Sequence, residues 1–382
     1  MILGTVLSIG NAIHSYAAEP LKIGLILPMT GPYATYGKKI ENGVRLYLAQ
    51  HGKTIAGREV EIITADDTGV APELDKRLAH SLIVKDKVEI LAGFGLTPGA
   101  LTVAPLVTQA KIPMIVMNAA SSGLTLRSPY LLRTSSTQPQ FTAPMAIWAS
   151  KNGIKNVYIL VAYYCPGLDS EAQFKKTFTA AGGTIVGSVH YPLTSADPSP
   201  YLQKIKDTKP DAVFVFLPPG ELSVSFVRGF VDRGLTAAGI KLIGTSITEE
   251  GVLDATGDKA IGLITAQNYS AAHPSPENIA YVSAYRKAYA GDPPNYMSIA
   301  GYDGMALIAH VLAKTKGNAS GDVFMAAAKG ISWVSPRGPV SIDQKTRDIV
   351  QTVYIRKTEK IGGALQNTEF DSFPASRDPS VQ

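Results

Sequence analysis

Hydroxyl and aromatic side chains follow several predicted strands at the point where each strand ends. The apolar run Ile23–Leu27 leads into a loop that carries Tyr36. Thr97 stands at a predicted helix N-terminus, and Asn118–Ser122 follows the predicted strand Ile112–Met117. The carboxyl ends of parallel strands meet at one edge of a sheet, where ligands bind against helix N-termini that favour anions. The sequence therefore predicts a site in which hydroxyl and amide groups hold a carboxylate without a counter-cation.

Motifs for catalysis are missing from this sequence. It has no GxSxG, HExxH or CxxC motif and no phosphate loop. Gly93-Phe94-Gly95 begins like a dinucleotide fingerprint, but Pro98 stands where its third glycine should be. Asp66-Asp67 is more simply a turn and helix cap than an acid/base or metal pair. The six histidines show no spacing typical of metal ligands. We therefore expect a binding protein with no metal or cofactor, rather than an enzyme.

Composition narrows the class further. With 382 residues, 45% of them hydrophobic, the chain is long enough for two domains. The net charge of +5 is spread along the sequence, so nucleic-acid binding is not predicted. Beyond the N-terminus no apolar run reaches the roughly 18 residues of a membrane span. Cys165 is the single cysteine, which rules out an intramolecular disulfide.

The N-terminus resembles an export signal. The apolar stretch Ile2–Ile13 precedes Ser15-Tyr16-Ala17-Ala18, which offers a small-x-small cleavage site. We therefore expect residues 1–18 to be a signal peptide, with cleavage after Ala17 or Ala18. No Lys or Arg precedes the apolar stretch, so the alternatives are a start codon further upstream or a segment that is not an export signal.

Strand and helix patterns alternate with a period of about thirty residues, as in a doubly wound parallel sheet. The first predicted helix begins just after Gly37, and the pattern restarts beyond Thr134. Three late helices lack strands of their own and are expected to return to the first lobe. After the predicted strand Ile349–Arg356, the chain should end in a polar tail. The prediction is an α/β protein with two lobes: residues 21–135 plus 268–342, and residues 136–267 plus 343–382.

At this level the sequence resembles the type I periplasmic substrate-binding proteins of ABC transporters, in the branch that includes the leucine/isoleucine/valine-binding proteins. The resemblance covers nearly the whole chain after the signal segment. It implies two Rossmann-like lobes joined by three hinge crossovers, which close on a ligand and present it to a membrane permease. Its most specific parts are Ile23-Gly24-Leu25, Thr30-Gly31-Pro32, Tyr36-Gly37, Asp66-Asp67, Ile112-Pro113-Met114-Ile115 and Tyr302-Asp303.

The resemblance also implies roles for individual residues. Thr97, Ala119 and Ser121 would hold the ligand carboxylate, with Tyr36 packing alongside. Amino-acid binders hold the ligand ammonium with an acidic residue, but the matching position here is Ser246. Burying an ammonium without a partner costs several kcal/mol. The simplest inference is a ligand with a carboxylate and no amine, unless the loop bends back and brings Glu249 or Glu250 to that place.

A second departure concerns the loop Tyr163–Gly167, which precedes a helix predicted over Ser170–Ala181. Its Pro-Gly ending, together with Phe216–Gly220 and Ser335–Pro339, resembles the subgroup that binds aromatic acids such as benzoate derivatives. Tyr163, Tyr164 and Pro166 would then offer flat partners to an aromatic ring. The alternative is that these tyrosines only pack within the lobe.

The expected function is therefore capture of a small carboxylate, with an aromatic acid favoured, by a monomeric binding protein in the periplasm that serves an ABC permease. Two alternatives stay open. The ligand could be a branched-chain or other amino acid, or the lobes could report a ligand to a sensory partner. A Rossmann-type enzyme is a weaker alternative, because no residue set supplies a nucleophile or a base.

Overall fold

The structure is a computed structural model that describes residues 19–194 and 197–381. The predicted signal peptide lies outside the described residues. In the part of the chain that is described, no helix is both long and apolar enough to cross a membrane.

The first lobe is built on a sheet with strand order β2-β3-β1-β4-β5-β6, parallel except for the short β2–β3 hairpin. Leu21, Ile23, Leu25 and Leu27 of β1 are fully buried, because helices cover both faces of a parallel sheet. Its elements are β1 (Leu21–Leu27), α1 (Ala34–His51), β2 (Thr54–Ile55), β3 (Arg58–Asp66), α2 (Pro72–Val84), β4 (Ile90–Gly93), α3 (Thr97–Ala110), β5 (Met114–Val116) and β6 (Leu131–Arg133).

The second lobe is built on the parallel strands β8-β7-β9-β10-β11. This sheet repeats the architecture of the first, as the restart of the sequence pattern predicts. Its elements are α4 (Gln138–Lys151), β7 (Asn156–Ala162), α5 (Cys165–Ala180), β8 (Thr184–Tyr191), α6 (Ser199–Thr208), β9 (Ala212–Phe216), α7 (Glu221–Asp232), β10 (Lys241–Thr245), α8 (Glu250–Thr256) and β11 (Ile264–Gln267).

The last part of the chain visits both lobes. Helix α10 packs on α1 at glycines, since a Cβ atom added to Gly43 would lie 1.9 Å from the Ser298 carbonyl oxygen. This packing puts the longest late helix against the first lobe; the full lobe boundaries stay a prediction. The elements are α9 (Pro276–Ala288), α10 (Tyr296–Thr315), α11 (Gly321–Ala328), β12 (Ser332–Ser335), β13 (Gly338–Ile342), β14 (Ile349–Ile361) and β15 (Ala364–Ser376).

Two expectations about local structure are wrong. The polar tail is in fact strand β15, which pairs antiparallel with β14. Its Pro374 falls within a register shift of that pairing, where a residue without an N–H is tolerated. Helices α1 and α5 begin at Ala34 and Cys165, earlier than predicted. Tyr36 and Pro166 therefore lie in first helical turns and not in loops.

The segments that connect the lobes are joined by a buried polar network. The segment after β6 leads from the first sheet to the second, the segment after β11 leads to the late helices, and β13 is hydrogen-bonded to β14, which also pairs with β11. Arg337 donates to the Thr134 carbonyl oxygen at 2.6 Å and to Gln351 Oε1 at 2.8 Å, and Asn268 Nδ2 donates to the same Gln351 oxygen at 2.8 Å. Asp303 Oδ2 lies 2.7 Å from Arg337 Nη2, and both side chains are fully buried. One guanidinium thus connects α10 with residues at the crossovers.

We predict that Asp303→Ala lowers the free energy of unfolding by about 3–5 kcal/mol, because it leaves the Arg337 guanidinium buried without a counter-charge. Urea denaturation measures this loss. The matched control is Glu61→Ala, which removes the exposed Lys22–Glu61 pair at 3.8 Å and should cost no more than about 1 kcal/mol. Equal losses in the two variants would contradict the role assigned to Arg337.

Candidate ligand-binding cleft

A cavity lies between the lobes at the carboxyl ends of their strands. The empty space within it is about 430 Å³, a figure that includes the part open to solvent. The first lobe contributes the segments that follow β4 and β5, and the second lobe contributes those that follow β7 and β9. Residues of the first crossover, between β6 and α4, and the start of α10 complete the lining.

The N-terminus of α3 forms the polar end of this cavity. Thr97 is its first residue and is 1% exposed, and its hydroxyl has no hydrogen-bond partner among the described residues. No side chain caps α3, and Gly95, Leu96 and Thr97 all line the cavity. The free amide groups and the dipole of a helix N-terminus attract anions. A carboxylate can therefore be accepted here without a cationic side chain.

The segment after β5 lines the cavity, but Ala119 does not offer the hydrogen-bond donor that the resemblance implied. Asn118 Nδ2 donates to the Gly95 carbonyl oxygen at 2.7 Å, while Asn118 Oδ1 is buried without a partner. Ala119 lines the cavity, but its N–H donates to the Phe94 carbonyl oxygen at 3.0 Å. Because that amide is already occupied, Ala119 offers a small apolar surface rather than a donor for a carboxylate.

The second lobe supplies flat apolar surfaces. Tyr164 and Phe216 line the cavity with their rings stacked, the centroids 6.0 Å apart and the planes at 20°. Pro166, Pro218 and Pro219 line it beside them. Aromatic and proline faces of this kind can pack against one face of a planar ligand.

Tyr36 joins the two lobes across the cleft. Its hydroxyl donates to the Pro219 carbonyl oxygen at 3.1 Å, and its side chain is 5% exposed. Burial raises the pKa of Tyr36 well above its usual value, and neighbouring tyrosines add to the shift. The phenol therefore stays protonated and keeps this donor over the ordinary pH range.

Two of the predicted site residues lie away from the cavity. Tyr163 is 63% exposed, and its ring stacks on that of His190 with the ring centroids 5.0 Å apart. Ser246 is buried with a positive φ of 64°, and Gln267 Nε2 donates to its hydroxyl at 3.2 Å. The structure does not bring either residue to the cavity.

Ser121 belongs to a second contact between the lobes. Its carbonyl oxygen accepts from Arg133 Nη2 at 2.8 Å. The next amide, of Ser122, donates to Asp169 Oδ2 of α5 at 3.0 Å, and the Ser122 hydroxyl donates to Asp378 Oδ2 at 2.7 Å. Burial raises the pKa of Asp169, although the bond from Ser122 opposes the shift. This segment therefore connects the lobes, and Ser121 does not line the cavity.

The two glutamates that could have held an ammonium are used elsewhere. Glu249 Oε1 lies 2.9 Å from Arg356 Nη2, and both side chains are buried. Burial, followed by the charge of Glu249, raises the pKa of Glu250 to about 7. Neither residue lines the cavity, and within residues 19–194 and 197–381 no charged side chain does.

Sequence reasoning missed several lining residues. Ser136 and Gln138 lie at the first crossover, and Phe141 follows in α4. Gln138 is held in place by Thr245, whose hydroxyl donates to Gln138 Oε1 at 3.1 Å. Tyr296 begins α10 directly after its capping residue. Only the fold brings these distant segments together, so their types alone gave no signal.

Comparison with known proteins agrees with this architecture. A family model described as periplasmic binding protein matches residues 20–363. The chain belongs to the periplasmic binding protein family. Its resemblance to the leucine/isoleucine/valine-binding branch is also confirmed: it is 40% identical to the Leu/Ile/Val-binding protein homolog 6 of Brucella melitensis, over 96% of this chain and 94% of that protein.

Two solved structures are similar over nearly the whole chain. A solute-binding protein of an ABC transporter from Rhodopseudomonas palustris BisB5, in complex with 3,4-dihydroxybenzoic acid, is 50% identical with a TM-score of 0.91. One from strain HaA2, in complex with p-hydroxybenzoic acid, is 43% identical with a TM-score of 0.92. Each comparison covers 95% of this chain and 99% of the other. They confirm the two-lobed fold and the expectation of a non-enzymatic binding protein of the ABC transporter class.

We predict that Thr97→Val leaves the unfolding free energy of the ligand-free protein unchanged, or raises it by up to about 1 kcal/mol, because the substitution removes a buried hydroxyl that has no partner. Thr142→Val is the matched control. The buried Thr142 hydroxyl donates to the Gln138 carbonyl oxygen at 2.9 Å, so its loss should cost about 1 kcal/mol. Urea denaturation of both variants checks this. A clear loss of stability in Thr97→Val would show that the hydroxyl already has a structural partner.

Proposed function

We propose that this protein captures a small aromatic carboxylate, such as a hydroxybenzoate, in the cleft between its lobes and delivers it to an ABC permease. The single observation that carries the proposal is the uncharged aromatic cavity with the unpartnered Thr97 hydroxyl at the start of α3. In this proposal the protein works as a monomer in the periplasm, where the family is typically found.

The carboxylate of the ligand binds at α3. The Thr97 hydroxyl donates a hydrogen bond to it, and the free amides of the first turn donate further hydrogen bonds. Hydrogen bonds to a charged group contribute about 1.5–3 kcal/mol each. Two or three of them therefore supply much of the about 8 kcal/mol that a micromolar complex requires.

The ring of the ligand occupies the space between the lobes. Tyr164, Phe216 and Pro166 provide flat surfaces on the second lobe, and Leu96 and Ala119 provide apolar surface on the first. A planar ring buries both of its faces in such a slot. The ligands of the two Rhodopseudomonas palustris proteins are planar aromatic acids, which supports this ligand class.

An amino acid is the rival ligand, because curated relatives are named Leu/Ile/Val-binding proteins. Its ammonium would enter a cavity whose lining, among the described residues, holds no carboxylate. Glu249 is paired with Arg356 and cannot turn toward the ligand without leaving that guanidinium unpaired. An uncompensated buried charge costs several kcal/mol, so the lining favours an acid without an amine.

Isothermal titration calorimetry tests the proposal. Purified protein, freed of bound ligand by unfolding and refolding, is titrated with 4-hydroxybenzoate, 3,4-dihydroxybenzoate, benzoate, leucine and valine. We expect at least one of the aromatic acids to bind at micromolar Kd or better, and Thr97→Val to weaken it by about 1.5–3 kcal/mol. Thr102→Val, in the same helix but outside the cavity, should leave the affinity unchanged. Binding of leucine or valine but of no aromatic acid would refute the proposal.

A further inference from the structure

Three tyrosines line the cavity from three separate elements, and we call them the tyrosine cluster: Tyr36 from α1, Tyr164 just before α5, and Tyr296 at the start of α10. Burial raises the pKa of Tyr36 and Tyr296; Tyr296 and Tyr164 raise that of Tyr36 further, and Tyr164 also raises that of Tyr296. All three side chains line the same cavity. The cavity thus has a second polar region, made of neutral phenols, besides the N-terminus of α3.

The members of the cluster differ in their hydrogen bonds. The Tyr36 hydroxyl donates to the Pro219 carbonyl oxygen at 3.1 Å and is thereby engaged in the contact between the lobes. The hydroxyls of Tyr164 and Tyr296 have no such partner among the described residues. Burial raises the pKa of each, so both remain neutral groups that can donate and accept.

The cluster offers no positive charge to a carboxylate. Burial raises the pKa of Tyr36 and Tyr296, so both phenols stay neutral, and the smaller effect of Glu249 on Tyr296 is opposed by Arg356. The N-terminus of α3, by contrast, attracts anions. A ligand with one carboxylate is therefore oriented with that group toward Thr97, and its uncharged substituents can reach the tyrosines.

We propose that Tyr164 and Tyr296 recognise a hydroxyl group on the aromatic ring, which makes the cleft selective for ring-hydroxylated acids over unsubstituted benzoate. This inference rests on the proposed function and deepens it. A phenolic hydroxyl donates one hydrogen bond and accepts another, so it can pair with both tyrosines at once. Benzoate leaves both hydroxyls unpaired in a site from which closure excludes water, and a site built to bond a substrate hydroxyl discriminates against the analogue that lacks it.

Calorimetry with paired ligands tests the inference. The measured quantity is the ratio of the Kd of benzoate to that of 4-hydroxybenzoate for the wild type, Tyr164→Phe and Tyr296→Phe. We expect a ratio of about tenfold or more in the wild type. This ratio should fall by a factor of about three to ten in each variant, because Phe keeps the ring surface and loses only the hydroxyl.

The control is Tyr130→Phe, whose hydroxyl donates to Asp322 at 2.6 Å outside the cavity and whose ratio should equal that of the wild type. Binding of benzoate by a variant shows that the variant is folded. The inference is overturned if the wild type binds both acids equally, or if neither Phe variant changes the ratio, while the proposed function survives in both cases. If the wild type binds no aromatic acid, the proposed function fails and the inference fails with it.

Discussion

The arrangement of the two lobes depends on one buried charge that is paired with a carboxylate. Arg337 is held by Asp303 of α10 and donates to the carbonyl oxygen of Thr134 and the amide oxygen of Gln351, which places its guanidinium at the crossovers. A buried ion pair of this kind adds little net stability over an apolar packing, but removing one partner is costly. Its value here is geometric. It fixes where the connecting segments run, so the loops of both lobes face each other at the same edge.

That geometry explains why the cleft can work without charged side chains. The strand ends of the first lobe deliver the N-terminus of α3, and those of the second lobe deliver flat aromatic and proline surfaces. The contacts Tyr36 to Pro219 and Ser122 to Asp169 then join the lobes at two places around the cavity. In the proposed function, a ligand is selected by a helix dipole, by a few hydroxyls and by shape. An ammonium group finds no counter-charge in the described lining.

Much of the fold followed from the sequence because local patterns determine it. The buried run of β1, the helix over Thr97–Ala110 and the alternation of strands and helices all have periodicities that tertiary contacts only reinforce. The polar residues of β15 gave no such signal. That strand exists because β14 offers an open edge for it, which is a tertiary effect. The hairpin of β12 and β13 was missed for a similar reason, since Ser335–Pro339 has the composition of a loop.

The sequence likewise predicted only part of the candidate site. Tyr36, Thr97, Ala119, Tyr164 and Pro166 line the cavity, and their roles in binding remain predictions. Ser121, Tyr163 and Ser246 lie close in sequence to lining residues, yet none of the three lines the cavity. The direction in which such a side chain points depends on where the neighbouring helix starts. Because α5 begins at Cys165, Tyr164 faces the cleft while the preceding tyrosine faces solvent.

The most direct test of the account is a crystal structure of the protein in complex with 4-hydroxybenzoate. The account predicts that the carboxylate lies within hydrogen-bond distance of Thr97 Oγ1 and the first amides of α3, with the ring between Tyr164 and the first lobe. A carboxylate bound instead at the second lobe, or a ligand outside the cavity, would contradict it.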